Sequence, residues 1–180
     1  MTDEEQQRRA RHFRQACGRF ATGVTVLTAT DDDHVHAMTA NAFMSVSLDP
    51  LLIATAVSRS AKMLPILQRQ RHFAVSILNH DQQYWSDKFG GRGLQALNGL
   101  PIPVPFCEVS APYVIMEQAA AWFLCTAVQE VEAGDHVLLL ARVEDFGTSS
   151  DVAKPLVFFG GRYYHRLDEE RDAEGLLLEL

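Results

Sequence analysis

The chain has 180 residues and a mass of 20.1 kDa, with 47% hydrophobic and 22% charged residues. That is the usage of one ordinary globular domain burying roughly 70% of its unfolded surface, and it excludes global disorder. Lys plus Arg is 16 and Asp plus Glu is 23, a net charge of −7, which excludes a wholesale nucleic-acid binder, since such surfaces are basic.

Asp3, Glu4 and Glu5 after Thr2 predict a helix over residues 3–20, capped by Thr2 or Asp3. Phe13, Ala16, Cys17 and Phe20 fall at helical spacing and predict an apolar face. The arginines at 8, 9, 11 and 14 read as a solvated face or as a phosphate contact. This charged start lacks the apolar core of a signal peptide, and no apolar run approaches the ~20 residues that span a bilayer. Cys17, Cys107 and Cys125 lack CxxC spacing and read as small buried hydrophobes in a reducing compartment. A cytoplasmic protein with no membrane or nucleic-acid partner is expected.

Val24–Thr30 is β-branched and predicts a strand, Asp31–Asp33 a turn, and His34–Met38 the return strand. Phe43–Leu48 continues extended until Asp49-Pro50, and Leu51–Val57 reads as a buried strand. Ser60–Arg69 predicts a short helix with Met63, Ile66 and Leu67 on one face. Phe73–Leu78 is the next strand and Asp81–Phe89 a further helix, followed by the Gly90–Gly93 loop. Four prolines between 98 and 112 predict an extended connection. Strands follow at Tyr113–Met116, Ala119–Val131, Val137–Phe146 and Leu156–Phe159. Residues 168–180 read as an acidic C-terminal tail or short helix, and its Leu176–Leu178 needs a covering surface. The expected fold is mainly β with peripheral helices, a barrel in one domain spanning 1–180.

Familiar catalytic signatures are missing. No GxGxxG follows a strand, no Walker lysine motif appears, no HExxH appears and no GxSxG elbow appears. The seven histidines do not group as metal ligands; His34 and His36 share a strand face beside an acidic turn. What remains is small polar residues inside strand signals. Thr39-Ala40-Asn41-Ala42 and Ser45-Val46-Ser47 allow close backbone approach to a flat ligand. Ser58-Arg59-Ser60-Ala61-Lys62, between a strand and a helix, combines hydroxyls, two cations and helix N–H groups. It reads either as an anion site or as a cap on Ser60 with solvated cations. Gly134-Asp135-His136 reads as a hairpin turn leading into a strand.

The order of these pieces resembles the short-chain flavin reductase family, the reductase partners of two-component flavin monooxygenases, over about residues 10–167. The resemblance rests on Phe20-Ala21-Thr22-Gly23-Val24-Thr25-Val26, Met38-Thr39-Ala40-Asn41-Ala42-Phe43, Ser45-Val46-Ser47-Leu48-Asp49-Pro50, Ser58, Ser60-Ala61, Phe73-Ala74-Val75, Gly134-Asp135-His136 and Gly161-Arg162-Tyr163. It implies an FMN-binding split β-barrel with Greek-key-like order, in a homodimer serving a separate oxygenase component. FMN or FAD would be the flavin and NADH or NADPH the co-substrate. By the resemblance, Met38, Thr39, Ala40, Asn41, Ser45, Val46 and Ser47 hold the isoalloxazine and ribityl chain. Ser58, Arg59, Ser60, Ala61 and Lys62 take the phosphate. Phe89 and Arg92 are outer flavin contacts, and His136, with Arg162 and Tyr163, positions the nicotinamide. No residue is expected to act as an acid, base or nucleophile. The chain departs from the family pattern at Leu51, Ser76 and Ala141, the last standing where glycine is usual. A non-catalytic flavin-binding split barrel and a split-barrel oxidase of the pyridoxine-phosphate type are the alternative readings.

Overall fold

The computed structural model describes residues 2–32, 34–91, 103–149 and 154–165. Asp33, Arg92 and the 168–180 segment with Leu176–Leu178 therefore lie outside the described residues.

Twelve strands and three helices form among them. The main body is a seven-stranded antiparallel sheet in the order β3-β2-β6-β9-β10-β5-β4. Its strands are β2 (Thr25–Asp31), β3 (His34–Ala40), β4 (Phe43–Leu48), β5 (Leu51–Ser58), β6 (His72–Ile77), β9 (Ala121–Ala133) and β10 (His136–Thr148). The two edge strands, β3 and β4, are consecutive in sequence, with only Asn41 and Ala42 between them. Two residues span at most about 7–11 Å, so the sheet must curl until its edges nearly meet. The edges do not pair in the sheet order. The result is a barrel left split between β3 and β4.

Inside it, Leu27, Ile53, Val57, Phe73, Val75, Leu139 and Ala141 pack against Met63, Leu64, Ile66 and Leu67 of α2 (Met63–Gln70). This helix starts three residues after the expected Ser60, and Lys62 occupies its N-cap position without a side-chain capping bond. Pro65 sits in the first turn, where its missing N–H has no intrahelical partner to lose.

The strand β2 is buried on both faces. Leu27 and Ala29 face the barrel, whereas Val24, just before the strand, and Val26 face a second cluster with Leu78, Met116 and Leu156. That explains the unbroken apolar run, which lacks the alternation of a one-sided strand. The second cluster is covered by α3 (Gln83–Phe89), where Trp85, Phe89 and Phe106 stack at 5.9 and 6.0 Å.

Several expectations need correction. The supposed extended connection at 98–112 contains β7 (Phe106–Ser110), which pairs with β8 (Tyr113–Met116). Its prolines lie outside 106–110, so they do not block the ladder. Two short strands were not anticipated, β1 (Thr22–Gly23) and β12 (Arg162–Tyr164). Both flank β11 (Val157–Phe159) in a small separate sheet. The first helix, α1 (Asp3–Cys17), forms with a Thr2–Glu5 capping box, but it ends before Phe20 and buries none of its residues. Phe13 is 71% and Phe20 78% exposed, so the apolar face finds no cover among the described residues. Cys17 and Cys107 are exposed, and only Cys125 is the buried hydrophobe expected; burial pushes its thiol pKa up to about 12.

Gly147 stands opposite Trp122 across the β9–β10 ladder, and a Cβ there would lie 2.6 Å from the indole ring. Gly147→Ala is expected to destabilise the fold by about 1–3 kcal/mol, the scale of core overpacking. A thermal melt of the purified variant checks this, with a drop in Tm of several degrees expected.

Candidate functional site

The split places two groups of predicted residues on facing edges. Thr39 and Ala40 end β3, and Ser45, Val46 and Ser47 lie on β4, where a bulge between Ser45 and Ser47 makes Val46 the extra residue. Met38 and Ala40 pack on the barrel core, whereas the Thr39 hydroxyl donates to the Ser86 carbonyl at 2.7 Å. The Thr25 hydroxyl donates to the Ala40 carbonyl, also at 2.7 Å. Both bonds fix the backbone at the split.

Beside these residues lies a cavity of about 170 Å³, lined by Val24, Thr39, Ala40, Asn41, Ser86, Gly90, Phe158 and Tyr163. Ser86 is fully buried, and its hydroxyl is 2.8 Å from the Tyr163 hydroxyl. Tyr163 meets Phe158 edge-on at 5.3 Å. Sequence reading missed Ser86, Gly90 and Phe158. Ser86 looks like a polar position on an exposed helix, and Phe158 like ordinary barrel packing. A glycine at 90 was the available signal, because a Cβ there would meet the Ser86 carbonyl at 2.9 Å.

The second group lies at the C-terminal end of β5. Ser58 pairs across the ladder with His136, the first residue of β10. Counting from Ile53, which pairs with Ser45, Ser58 is five residues along β5, about 17 Å at the usual strand rise. The Ser58 and Ser60 hydroxyls are 2.9 Å apart, and the Ser60 N–H donates to Ser58 Oγ at 3.3 Å. The Arg59 N–H donates to the Asp135 carbonyl at 2.9 Å, and its guanidinium Nε to the Gly134 carbonyl at 2.9 Å. The same guanidinium pairs with Glu132 at 2.9 Å. Arg59 is thus engaged in holding the Gly134–His136 turn. Lys62 makes no ion pair among the described residues and is exposed. Ala61 packs on the barrel core and brings the loop back to α2.

Gly134 has a φ of +64°, a conformation that suits glycine, and it allows the tight turn before His136. His136 Nδ1 lies 2.7 Å from Asp135 Oδ1. The structure therefore joins Ser58–Lys62 to Gly134–His136. Phe89 is placed elsewhere, in the Trp85–Phe106 stack one residue before the cavity-lining Gly90. Arg162 is exposed on β12, beside Tyr163.

Of the described residues lining the cavity, only Tyr163 has an ionisable side chain. Among the described residues no group of His, Cys, Asp and Glu is arranged to hold a metal ion, and no helix is long and apolar enough to cross a membrane. Paired hydroxyls, a strand-to-helix loop and a nearby lysine fit an anion. Small residues at a barrel split fit the edge of a flat ring. The described residues suit a flavin phosphate and ring in both respects.

The Asp135 carboxyl is held below the ordinary value of 3.8, chiefly by its hydrogen bond with His136 and by the charge of that ring. A carboxyl depressed in the folded state stabilises it above the unfolded value, and that contribution is lost as pH falls through the native value. A carbon-detected NMR titration is expected to show Asp135 titrating below 3.8. His136→Ala should move it upward.

Residues 17–166 match the family model described as a flavin reductase like domain. The NADH-dependent flavin reductase StyB of Pseudomonas fluorescens is 38% identical over 154 residues, 84% of this chain and 87% of that protein. The reductase component of 4-hydroxyphenylacetate 3-monooxygenase from Thermus thermophilus is 36% identical over 86% of this chain and 95% of its own. The solved structure of flavin reductase PheA2 in its native state superposes with a TM-score of 0.81 at 40% identity, covering 93% of this chain and 100% of that one.

Proposed function

The chain belongs to the family of flavin reductase like domains, and we propose that it is the NADH-dependent reductase component of a two-component flavin monooxygenase. The observation that carries this reading is the joining of the Ser58–Lys62 loop to the Gly134–His136 turn through Arg59, on the strand whose Ala56 N–H donates to the Ala42 carbonyl at the split at 3.4 Å. The relatives named as NADH-dependent flavin reductases and as monooxygenase reductase components support the donor and the partner class.

Flavin and reduced nicotinamide, when bound, would themselves supply the chemistry, a hydride transfer from nicotinamide C4 to flavin N5. The chain's part is to bind and align. Thr39, Ala40 and Asn41, with Ser45–Ser47 across the split, line the ring site. Ser58, Ser60 and Lys62 hold the phosphate, and Arg59 acts behind them by fixing the turn that carries His136. His136 orients the nicotinamide, its ring steadied by Asp135. The described residues lining the cavity include no carboxylate or histidine, which suits hydride transfer, a step that needs no general base.

Purified protein mixed with NADH and FMN or FAD should consume the nicotinamide absorbance only when flavin is present. Tight flavin binding without turnover would instead indicate a binding protein. Lys62 makes no capping bond, so Lys62→Ala should leave the fold intact. It should weaken FMN by roughly 1.5–3 kcal/mol, about ten- to hundredfold, and riboflavin much less. Equal loss for both flavins would remove Lys62 from the phosphate site.

We also propose a homodimer. Met44, Val46, Leu48 and Leu51 leave apolar side chains exposed along β4 and the start of β5, on a strand whose outer edge is unpaired in the sheet. Such an edge is ordinarily covered. Sedimentation at micromolar concentration should give about twice 20.1 kDa, and Met44→Asp should shift the protein toward the monomer. A wild-type species at the single-chain mass would rule the dimer out.

A further inference from the structure

Ser86 ties together two cavity walls that belong to different sheets. Its carbonyl accepts the Thr39 hydroxyl of β3 at 2.7 Å and the Gly90 N–H at 2.9 Å, which fills both acceptor positions. Its side-chain hydroxyl lies 2.8 Å from the Tyr163 hydroxyl of β12. Gly90 leaves the space this needs, since a Cβ there would lie 2.9 Å from the Ser86 carbonyl and 3.8 Å from the Thr39 Cβ. Ser86 is wholly buried, so water does not compete for these bonds. It is carried by α3, which the Trp85–Phe89–Phe106 stack anchors at 5.9 and 6.0 Å. Tyr163 is braced in turn by Phe158, edge-on at 5.3 Å.

Packing alone does not call for a serine here. Alanine is the better helix former, and a buried hydroxyl is costly unless it is bonded. What the hydroxyl adds is a fixed distance between α3 and β12, while the carbonyl fixes α3 to β3. These three elements bound a cavity of only about 170 Å³, where a displacement of about 1 Å is a large fraction of the space a ring can use.

We propose that Ser86 is a positioning residue: acting through Tyr163 and Thr39, it sets the width of the cavity and with it the alignment of the two redox rings. The proposal rests on the reductase reading. In that reading two electrons and one proton leave nicotinamide C4 together as hydride and arrive at flavin N5, oxidising the first ring and reducing the second. The rate of such a transfer depends steeply on the separation and angle of the rings, and the affinity for each ligand depends on them much less. A buried serine therefore governs the rate without contributing a group to the chemistry.

The test compares wild type with Ser86→Ala, Tyr163→Phe and the double variant. It measures dissociation constants for FMN and NADH, the single-turnover transfer rate with both saturating, and the visible circular dichroism of bound FMN. The last needs no turnover, because the achiral ring gains its signal from being held in one orientation. In Ser86→Ala the dissociation constants should stay within about twofold while transfer slows about tenfold or more, with the dichroism reduced. The double variant should be no slower than the slower single variant, because both substitutions remove the same bond. Unchanged transfer in Ser86→Ala overturns the proposal. So do losses that multiply in the double variant, and so does a lower Tm with both ligands weakened but transfer at saturation intact, the signature of packing. Should Ser86→Ala fail to fold, Tyr163→Phe, which keeps the ring against Phe158, is read by the same criteria. A wild type without flavin-dependent NADH oxidation would sink the reductase reading and leave the dichroism to decide on Ser86.

Discussion

Asn41 and Ala42 are the only residues between the two edge strands of a seven-stranded sheet, and the site depends on that short link. So short a connection forces the sheet to curl and holds its edges together without a ladder between them. Backbone N–H and C=O groups along a free edge are otherwise a liability. Here the hydroxyls of Thr25 and Thr39 reach across to neighbouring carbonyls and pin the end of β3. The same opening adjoins the cavity that Thr39, Ala40 and Asn41 line together with Ser86, Phe158 and Tyr163.

The Ser58 end of β5 is built by register. Pairing β5 with β10 sets Ser58 opposite His136. Arg59 then ties the two loops together through the Asp135 carbonyl, the Gly134 carbonyl and Glu132. Arg59, given to the phosphate by the resemblance, also braces the two loops in the fold, while Lys62 keeps its charge available at the mouth of α2. Exposed ion pairs of this kind contribute little to stability; their value here is in fixing where two functional loops stand.

Much of this was legible in the sequence. Strands β2 to β6 and helix α2 follow from β-branched runs, Asp49-Pro50 and the Met63–Leu67 spacing, each a local signal. The grouping of Ser58–Lys62 with Gly134–His136 was not local, because more than seventy residues separate them. Only the joint order of motifs hinted at it. Ser86 and Phe158 escaped because a pocket wall depends on how α3 and the last hairpin dock, and helical or strand spacing carries no trace of that. Phe89, an outer flavin contact by the resemblance, stacks between Trp85 and Phe106 one residue before the cavity-lining Gly90. The apolar face predicted for α1 was real as a pattern, but a pattern cannot say which molecule covers it.

Charge placement completes the argument. An acidic chain repels polyphosphate at long range, about a Debye length of 8–10 Å at ordinary salt. Holding any anion therefore requires cations gathered close to the contact, where the attraction is barely screened. The fold gathers them from distant parts of the sequence: Arg11 and Arg14 from α1, Arg19 from the turn after it, Lys62 from the mouth of α2, and Arg162 from β12. The remaining acids can then keep the rest of the surface negative, which suits solubility without weakening the site. That division explains how a protein of net charge −7 presents a cationic groove beside a cavity whose described lining carries no charged side chain.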